Sequence, residues 1–442
     1  MHARRLVAAV AVGMAAATVM AGCASTPAAS SSGGGGPLEV WIRGTADSQK
    51  EYQDIFAAYA AKTKIKVNTF ATLTDFETKV NAAAAGHNLP DIVVDDASQL
   101  GAFRSEGILQ QVDKSSIAGN DQLTDLSWSS AKGSDGNYYA VPFSAQANVL
   151  LLRTDWLSKL GLKTPTTWSD LLNVAKAFTT ADPDGNGKAD TYGIAVPGST
   201  TRGYISWYWS TFLWQAGGDY FRSAGNGKYT QTIDSSQAVQ AAQWFENLFC
   251  TNKVVQPGAL NNVTTDTNKA FSTGVAGLYF TGPYAYATTD PTAVANKYTA
   301  VAPPAGPVNA KTLAEGTDIY LMAGSKHADS AKQLAEYMIT PTAQKLGMTA
   351  SPTATIVRLS VNRTVDAAAV HNNDPRWRLA EQVYQQSGHY EPDYMPNWPA
   401  FRQATSNALN AMVAHCADPA AALHTLGGQF TTLLKQQGVL AG

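Results

Sequence analysis

Apolar and polar residues alternate with a strand period near residue 38 and then change to a helical period. Residues 38–42 alternate as a strand. Ser48, with Glu51 three positions later, predicts a capping box that opens a helix, whose apolar residues recur at helical spacing as far as Tyr59. A second alternating strand follows at residues 65–67. The folded region therefore begins as strand, helix, strand.

The same alternation continues, with a predicted helix over residues 75–85 and a buried strand over residues 90–96 that ends in two carboxylates. Strands alternating with helices at this pace predict an α/β fold, with a parallel sheet covered by helices on both faces. Ligands of such sheets bind beyond the carboxyl ends of the strands. Arg43, Asp95 and Asp96 are therefore candidate binding residues, with a solvated loop or a helix cap as the alternative for each.

The middle of the chain contains two strand patterns, at residues 139–143 and 149–152. We interpret the connecting residues 144–148 as a crossing between two lobes, which makes Gln146 a candidate at their junction. Helical patterns follow, one beginning at Thr167 and another over residues 234–249.

An aromatic segment at residues 204–218 contains Trp207, Trp209 and Trp214 and ends in two glycines. Positions two apart lie on opposite sides of a helix, so the three indoles cannot share one face. At least one is predicted to reach a binding site, and the alternative is a core helix. Aromatic residues make up 10% of the chain, including 10 Trp and 18 Tyr, which exceeds what a core needs and is typical of sugar-binding sites.

The amino terminus has the pattern of an export signal. Arg4 and Arg5 precede an apolar run over residues 6–21, which is shorter than the ~20 apolar residues of a spanning helix. We predict a signal peptide over residues 1–22, with an uncleaved anchor helix as the alternative.

The cysteine that follows Ala21 and Gly22 resembles the lipobox of bacterial lipoproteins, in which that thiol is lipidated. Met20 departs from the Leu that is usual at the first lipobox position. Cys23 is therefore the predicted lipidation site. Residues 23–37 are rich in Ala, Ser, Pro and Gly and predict a flexible tether to the folded region.

Charge excludes nucleic acid as a partner. The chain has 32 Lys and Arg against 34 Asp and Glu, and cleavage would remove Arg4 and Arg5 to leave a net charge of −4. With Cys23 lipidated, Cys250 and Cys416 remain as an even pair in an oxidising compartment. They form either a disulfide or two separate buried thiols.

One acidic turn has oxygen ligands at alternate positions, as in the first part of an EF-hand loop. Its sixth position is Gly187, as expected, but its twelfth is Gly193 in place of the bidentate Glu. The turn either binds structural calcium with a carboxylate from elsewhere or is only a polar turn. The candidate ligands are Asp182, Asp184, Asn186 and Asp190.

Several short motifs occur in a characteristic order after the lipobox and tether. They are LEVW at 38–41, LPDIV at 89–93, YYAVP at 138–142, VLL at 149–151, PTTW at 165–168, GPY at 282–284 and GTDIYLMAGSKHADSAKQLAEY at 316–337. Together they resemble the family 1 extracellular solute-binding proteins, the group that includes the maltose-binding protein. The resemblance covers nearly the whole chain after the signal.

This resemblance implies a type II periplasmic-binding-protein-like fold, in which two α/β lobes are joined by crossing hinge segments and close around a ligand. The expected first lobe is 38–145 plus 306–350, and the second is 146–305 plus 351–442. The implied function is that of a monomer, anchored by lipid to the outer face of the cell membrane, which delivers a sugar to the permease subunits of an ABC importer. The expected ligand is an oligosaccharide, and no cofactor is implied.

The resemblance also implies binding residues. Tyr284 follows Gly-Pro where the family commonly has a Trp that stacks on the ligand. Gly316 lies where the family has a glycine pair at the binding site; Thr317 replaces the second glycine, and Asp318 is the expected substitute. The complete predicted set is Arg43, Asp96, Gln146, Trp207, Trp209, Trp214, Tyr284, Gly316 and Asp318.

Three alternatives remain. A glycoside hydrolase needs two opposed carboxylates, which the adjacent Asp95 and Asp96 cannot supply alone, so we do not expect an enzyme. A related protein that binds ferric iron would use tyrosines, such as Tyr284 with Tyr286 or Tyr138 with Tyr139. A lipoprotein that only scaffolds a partner would bind no small molecule.

Overall fold

The structure, a computed structural model, describes residues 36–349 and 356–442. The predicted signal peptide, Cys23 and nearly all of the tether lie outside the described residues and stay predictions. Within the described part of the chain, no helix combines the length and the apolar character that crossing a membrane requires.

Strands and helices alternate along the chain. The strands are β1 (Leu38–Arg43), β2 (Val67–Thr72), β3 (Ile92–Asp96), β4 (Val141–Ala147), β5 (Val149–Arg153), β6 (Tyr192–Ala195), β7 (Phe221–Gly225), β8 (Lys228–Gln231), β9 (Ala276–Thr281), β10 (Tyr298–Val301), β11 (Thr312–Leu321), β12 (Leu359–Ser360) and β13 (Gly388–Tyr390). The helices are α1 (Ala46–Thr63), α2 (Phe76–Ala85), α3 (Leu100–Ser105), α4 (Asp125–Ser130), α5 (Thr154–Leu160), α6 (Trp168–Thr180), α7 (Tyr204–Gln215), α8 (Ser236–Phe249), α9 (Thr264–Ser272), α10 (Tyr284–Thr289), α11 (Ala328–Met338), α12 (Pro341–Thr349), α13 (Ala367–Val370), α14 (Pro375–Ser387), α15 (Trp398–His415) and α16 (Pro419–Gln436).

The first sheet has the order β12-β4-β11-β3-β1-β2, with β13 paired to β11. β1 pairs in parallel with both β2 and β3, which confirms the parallel arrangement predicted for this part of the chain. β11 is antiparallel to β3 and β4 and lies between them. The chain therefore passes from β10, which belongs to another sheet, into the middle of the first sheet.

The second sheet has the order β10-β5-β9-β6. The connection between the sheets differs from the prediction: residues 144–147 continue strand β4, and Asn148 alone separates β4 from β5. The backbone N–H of Asn148 donates to the carbonyl of Leu313 (2.9 Å) and its carbonyl accepts from the Thr312 hydroxyl (3.1 Å). The crossing is therefore held as a strand by its pairing with β11.

Two hydrophobic cores accompany the two sheets. The first gathers the buried faces of β1, β3, β4 and β11 with helices such as α1 and α14. The second gathers α6, α7, α8, α15 and α16. This arrangement agrees with the expected two-lobe α/β architecture.

The last part of the chain contributes to both sides. β12 pairs with β4 and β13 pairs with β11, so both strands join the first sheet. The predicted division instead assigned all of 351–442 to the second lobe, and the structure differs from it at these two strands. Short strands of two and three residues carry no hydrophobic periodicity that could have indicated this exchange.

Some local predictions shift by a few residues. Helix α1 is capped by Thr45, whose hydroxyl accepts from the Ser48 N–H at 3.2 Å, so the predicted cap at Ser48 is wrong. Strand β2 begins at Val67, whereas the predicted strand covered residues 65–67. The register against β1 places Val67 opposite Leu38. The start of α6 is confirmed, with a capping box between Thr167 and Asp170.

Candidate ligand-binding cleft

A cavity of about 240 Å³ lies where the carboxyl ends of β1 and β3 meet α7, α10 and β11, and we call it the cleft. Four arginines, two carboxylates and three large aromatic rings contribute to its wall. The lining residues are Arg43, Leu73, Asp96, Arg202, Tyr204, Trp207, Thr264, Thr265, Tyr284, Glu315, Arg358 and Arg402.

Arg43 and Asp96 reach the cleft because each ends a strand of the parallel part of the first sheet. β1 and β3 run in register from Val40 opposite Ile92, so their carboxyl ends lie side by side. The Arg43 guanidinium approaches the Asp96 carboxylate at 3.1 Å. This is the location that the strand-end argument predicts for both residues.

Arg202 ties this strand end to the helical side of the cleft. Its backbone is in the left-handed region (φ 50°), in the short turn that precedes α7. Its guanidinium donates to Glu77 on α2 at 2.7 Å and to Asp96 at 3.1 Å. One side chain thus joins two acidic groups of the first lobe to the start of α7 in the second.

Glu315 on β11 is the central acceptor of the cleft. The indole N–H of Trp207 donates to one of its carboxylate oxygens at 2.5 Å, and the side-chain amide of Gln146 donates to the other. Burial raises the pKa of the Glu315 carboxyl, and the neighbouring Arg358 opposes that shift. Gln146 is itself fully buried beneath this carboxylate, so it supports the wall and does not line it.

Tyr284 begins α10 and presents its ring to the cleft. The Thr281 hydroxyl donates to the Tyr284 hydroxyl at 2.9 Å, which holds one end of the ring. The Arg358 guanidinium lies 5.5 Å from the ring centre, within cation–π distance. Gly282 allows the Gln146 amide to approach the backbone, since a Cβ at this position would collide with the amide oxygen unless Gln146 moved.

A much smaller void of about 30 Å³ lies next to the cleft and shares Asp96, Glu315 and Arg402 with it. Gly316 lines this void, and a Cβ there would lie 2.7 Å from the Ser144 carbonyl oxygen. The glycine is therefore needed for the close approach of β11 to β4. Its predicted role as a direct ligand contact stays a prediction.

Three predicted residues lie in the protein core, away from the cleft. Trp209 is fully buried, with its ring edge-to-face against Tyr220, and Trp214 donates its indole N–H to Asp219 at 3.4 Å. Both follow from the helix geometry, because α7 is surrounded on all sides and only the Trp207 face meets the cleft.

Asp318 is also fully buried, and its carboxylate accepts from the Ser130 hydroxyl at 3.1 Å. It lies opposite Asp95 in the antiparallel pairing of β11 with β3. Burial raises the pKa of Asp318 to about 7 and raises that of Asp95 well above its ordinary value. Both carboxyls belong to the interior of the first sheet.

Several residues that line the cleft were not among those predicted from the sequence. Tyr204 is the first residue of the aromatic segment and Arg202 lies two positions before it, which is a weak signal that could have found them. Arg358 and Arg402 follow no strand pattern, and Glu315 directly precedes the chosen Gly316. Only the folded chain brings these side chains to one cavity.

The acidic turn predicted to bind calcium is organised by its own backbone. The Asp182 carboxylate accepts from the N–H groups of Gly185, Asn186 and Gly187 at 3.0–3.1 Å. The Asn186 amide donates to Asp184 at 2.8 Å and to Asp190 at 3.1 Å. These contacts join the four predicted ligands in one turn, but among the described residues the three carboxylates of this turn do not converge at metal-ligand spacing. Calcium binding stays a prediction.

Cys250 and Cys416 form a disulfide in the structure, with their Cα atoms 5.7 Å apart. The bridge joins the end of α8 to the end of α15. Of the two alternatives left open by the sequence, the structure therefore has the bridge. The two sulfurs lie at one edge of the second core, away from the cleft residues.

The chain is similar to several known proteins, in sequence or in fold. The chain is 39% identical to the polygalacturonan/rhamnogalacturonan-binding protein YtcQ of Bacillus subtilis over 127 residues. This match covers 27% of this chain and 25% of that relative. The chain is thus matched to about a quarter of that relative's length. A solved structure of an ABC transporter solute-binding protein from Thermotoga lettingae, bound with α-D-tagatose, is similar with a TM-score of 0.77 at 18% identity over 90% of this chain and 100% of that one.

The GacH receptor of Streptomyces glaucescens, solved without ligand and with acarbose, is similar with a TM-score of 0.76 at 18% identity, covering 90% of this chain and 98% of that one. These likenesses establish the two-lobe type II fold. Residues 44–345, more than half of the chain, match the family described as bacterial extracellular solute-binding protein. The chain belongs to this family, whose members are binding proteins and not enzymes.

Proposed function

We propose that this protein is the lipid-anchored, extracytoplasmic substrate-binding component of an ABC importer and that it captures a sugar, an oligosaccharide, in the cleft. The observation that carries the proposal is the combination of the Tyr284 and Trp207 rings with charged hydrogen-bonding groups around one cavity. Aromatic rings suit the apolar C–H face of a pyranose, and carboxylates and guanidinium groups suit its hydroxyls.

The known ligands of similar proteins support a sugar. The relative named above binds polygalacturonan or rhamnogalacturonan, and the two similar structures hold tagatose and acarbose. All of these are carbohydrates or carbohydrate mimics, although the proteins share little overall sequence with this chain.

The proposed anchor is a lipid on Cys23, followed by the tether at residues 23–37. A tether of this composition behaves as a flexible coil, which allows the folded lobes to reach membrane permease subunits. The lobes are proposed to act as a monomer and to close around the ligand by hinge bending, so that the permease meets a closed, loaded protein.

Ferric iron is the weaker candidate, because the tyrosines that could bind it do not converge. Tyr286 is buried in the first core, and its hydroxyl lies 3.4 Å from the Arg376 carbonyl. Tyr139 donates to Asp135 at 2.7 Å, away from Tyr284. Neither tyrosine pair therefore directs two phenol oxygens into the cleft.

The first test is a thermal-shift screen of residues 37–442 against monosaccharides, di- to tetrasaccharides, amino acids and ferric citrate. A ligand at ~100 times its dissociation constant adds about 2.7 kcal/mol of stability, which gives a clear shift. A shift with one class of oligosaccharide supports the proposal. A shift with ferric citrate alone, or with no compound, contradicts it and favours iron binding or a scaffolding lipoprotein.

The variant pair Trp207→Ala with Tyr284→Ala tests the location of the site. We expect loss of binding in a protein that keeps its far-UV circular dichroism spectrum. The matched control is Trp244→Ala, because the Trp244 ring packs against Trp168 with 4.5 Å between ring centres, beside the second core, and does not line the cleft. Full affinity in the folded double variant would place the site elsewhere.

A further inference from the structure

The charges of the cleft are unevenly matched. Three of its four arginines have a carboxylate at hydrogen-bonding distance: Arg43 with Asp96 at 3.1 Å, Arg202 with Glu77 at 2.7 Å, and Arg402 with Glu391. Each of these three guanidinium groups therefore has a carboxylate partner without a ligand, although the Nε atoms of Arg43 and Arg402 have no hydrogen-bond partner among the described residues. They supply hydrogen-bonding positions at the wall without leaving a free charge.

Arg358 is the exception. The nearest carboxylate oxygen to its guanidinium belongs to Glu315, at 3.9 Å, which is beyond hydrogen-bonding distance. Its Nε atom is buried and has no hydrogen-bond partner among the residues that the structure describes, as is also true of Arg43 and Arg402. The missing carboxylate partner is therefore what distinguishes Arg358 from the other three arginines.

Glu315 is held away from Arg358 by its other contacts. One oxygen accepts from the Trp207 indole and the other from the Gln146 amide, and Gln146 is fully buried. A rotation of the carboxylate toward Arg358 would break a buried hydrogen bond, which costs about as much as a new one provides. The arginine therefore keeps an unused capacity to donate hydrogen bonds.

Arg358 also faces the place where a sugar would lie. Its side chain is 29% exposed, it lines the cleft, and its guanidinium lies over the Tyr284 ring at 5.5 Å. A ligand that stacks near this ring brings its substituents within reach of the guanidinium. An anionic substituent there would accept hydrogen bonds from the guanidinium. These would replace hydrogen bonds to water that the cation lost when it became partly buried.

Building on the proposed function, we infer that the cleft selects an acidic sugar, a uronic acid or an oligomer that contains one, and that Arg358 binds its carboxylate. The planar guanidinium matches a carboxylate in a two-bond geometry. A single negative charge also fits better than a phosphate dianion, because the Glu315 carboxylate is close to the same guanidinium.

The test compares sugars that differ only in the carboxylate. Isothermal titration of the whole folded protein would use galacturonate against galactose, glucuronate against glucose, and the corresponding di- and trisaccharides, with sugar phosphates and succinate as anion controls. We expect an acidic sugar to bind at least ten-fold more tightly than its neutral partner, and the ratio to fall as salt rises.

Variants assign the effect to one residue. Arg358→Gln should lower the affinity for the acidic sugar at least ten-fold and change that for the neutral partner little, and Arg358→Lys should restore part of it. The matched control is Arg222→Gln on the exposed hairpin of β7 and β8, which should change neither affinity. A loss that is equal for both sugars would assign Arg358 a structural role and overturn the inference.

The outcomes separate this inference from the proposed function. If neutral sugars bind as well as acidic ones or better, sugar capture stands and the acidic class is rejected. If sugar phosphates or succinate bind in preference to uronates, the cleft is an anion site of another class and the inference is rejected. If no sugar of either kind binds, both the inference and the proposed function fail.

Discussion

The indole N–H of Trp207 on α7 donates a 2.5 Å hydrogen bond to the Glu315 carboxylate on β11. Helix α7 belongs to the second core, whereas β11 pairs with β3 and β4 in the first sheet. This one contact therefore links the two halves of the molecule at the wall of the cleft. It also positions the ring and the carboxylate relative to each other before any ligand arrives.

Trp207→Phe tests this link, because it keeps an aromatic ring and removes only the donor. The Glu315 carboxylate would lose a buried partner, and we expect a destabilisation of about 1–3 kcal/mol. Urea denaturation measures it, and Trp244→Phe controls for the smaller ring. A variant as stable as Trp244→Phe would show that the hydrogen bond contributes little to folding.

Arg202→Gln tests the ionic connection across the cleft. The side chain bridges Glu77 and Asp96 to the start of α7, so its removal should favour an open form of the ligand-free protein. We expect a larger radius of gyration in solution scattering and a weaker apparent affinity, because less of the protein is closed.

The control for this change is Arg222→Gln, which removes an exposed arginine far from these partners. High salt should move the wild-type protein in the same direction as Arg202→Gln, since it screens partly exposed pairs. An unchanged radius of gyration in both the variant and high salt would mean that other contacts keep the lobes together.

Asp318 predicts a specific pH dependence of stability. Its pKa is raised to about 7 in the folded protein by burial. Between the ordinary pKa of an Asp and about pH 7, the folded protein therefore keeps a proton on Asp318 that the unfolded chain has released. Stability from this group is present below about pH 4 and is lost as pH rises through about 7. The loss is at most about 4 kcal/mol, since each unit corresponds to 1.36 kcal/mol.

Asp318→Asn should therefore be more stable than the wild type at pH 8, and this advantage should be smaller at pH 5, which lies between the two pKa values. Urea denaturation at the two values measures the difference. Asp95 changes stability in the same direction, because burial also raises its pKa, so some dependence remains in the variant. The exposed Asp54→Asn on α1 is the control; an equal pH response in both variants would contradict the assignment to Asp318.

The Cys250–Cys416 bridge closes a loop of 166 residues in sequence. Removing such a cross-link releases conformational freedom in the unfolded chain, and we expect Cys250→Ser with Cys416→Ser to lower stability by about 2–4 kcal/mol. A reducing agent should lower the melting temperature of the wild type and leave the double variant unchanged. Sugar affinity should persist in the variant, because the bridge lies away from the cleft.

Much of the fold followed from the sequence because it is encoded in local periodicity. The parallel strands β1 and β3, the helix α2 and the capped start of α6 all have short-range patterns that determine them. The location of Arg43 and Asp96 at the cleft was predictable for the same reason, since a residue at the carboxyl end of a parallel strand has a predictable location. Their role in ligand binding stays a prediction.

Other predictions differ from the structure because the positions of those residues depend on tertiary packing. Three tryptophans on α7 have the same chemistry, and only Trp207 reaches the cleft, because the other faces of the helix pack into the second core. Residues 144–147 form part of a strand because β11 offers them backbone partners from far along the chain. The local sequence does not indicate that α7 packs into the second core or that β11 pairs with residues 144–147.

The sequence by itself determined the α/β alternation, the strand-end residues and an aromatic segment suited to a sugar. The tertiary structure alone decided which groups share the cleft, as shown by Arg202, Glu315, Arg358 and Arg402. These four come from separate parts of the chain, and their charges become matched or unmatched only in the folded protein. Periodicity specifies which side of its own element a residue occupies, whereas the partner across the cleft depends on how distant elements meet.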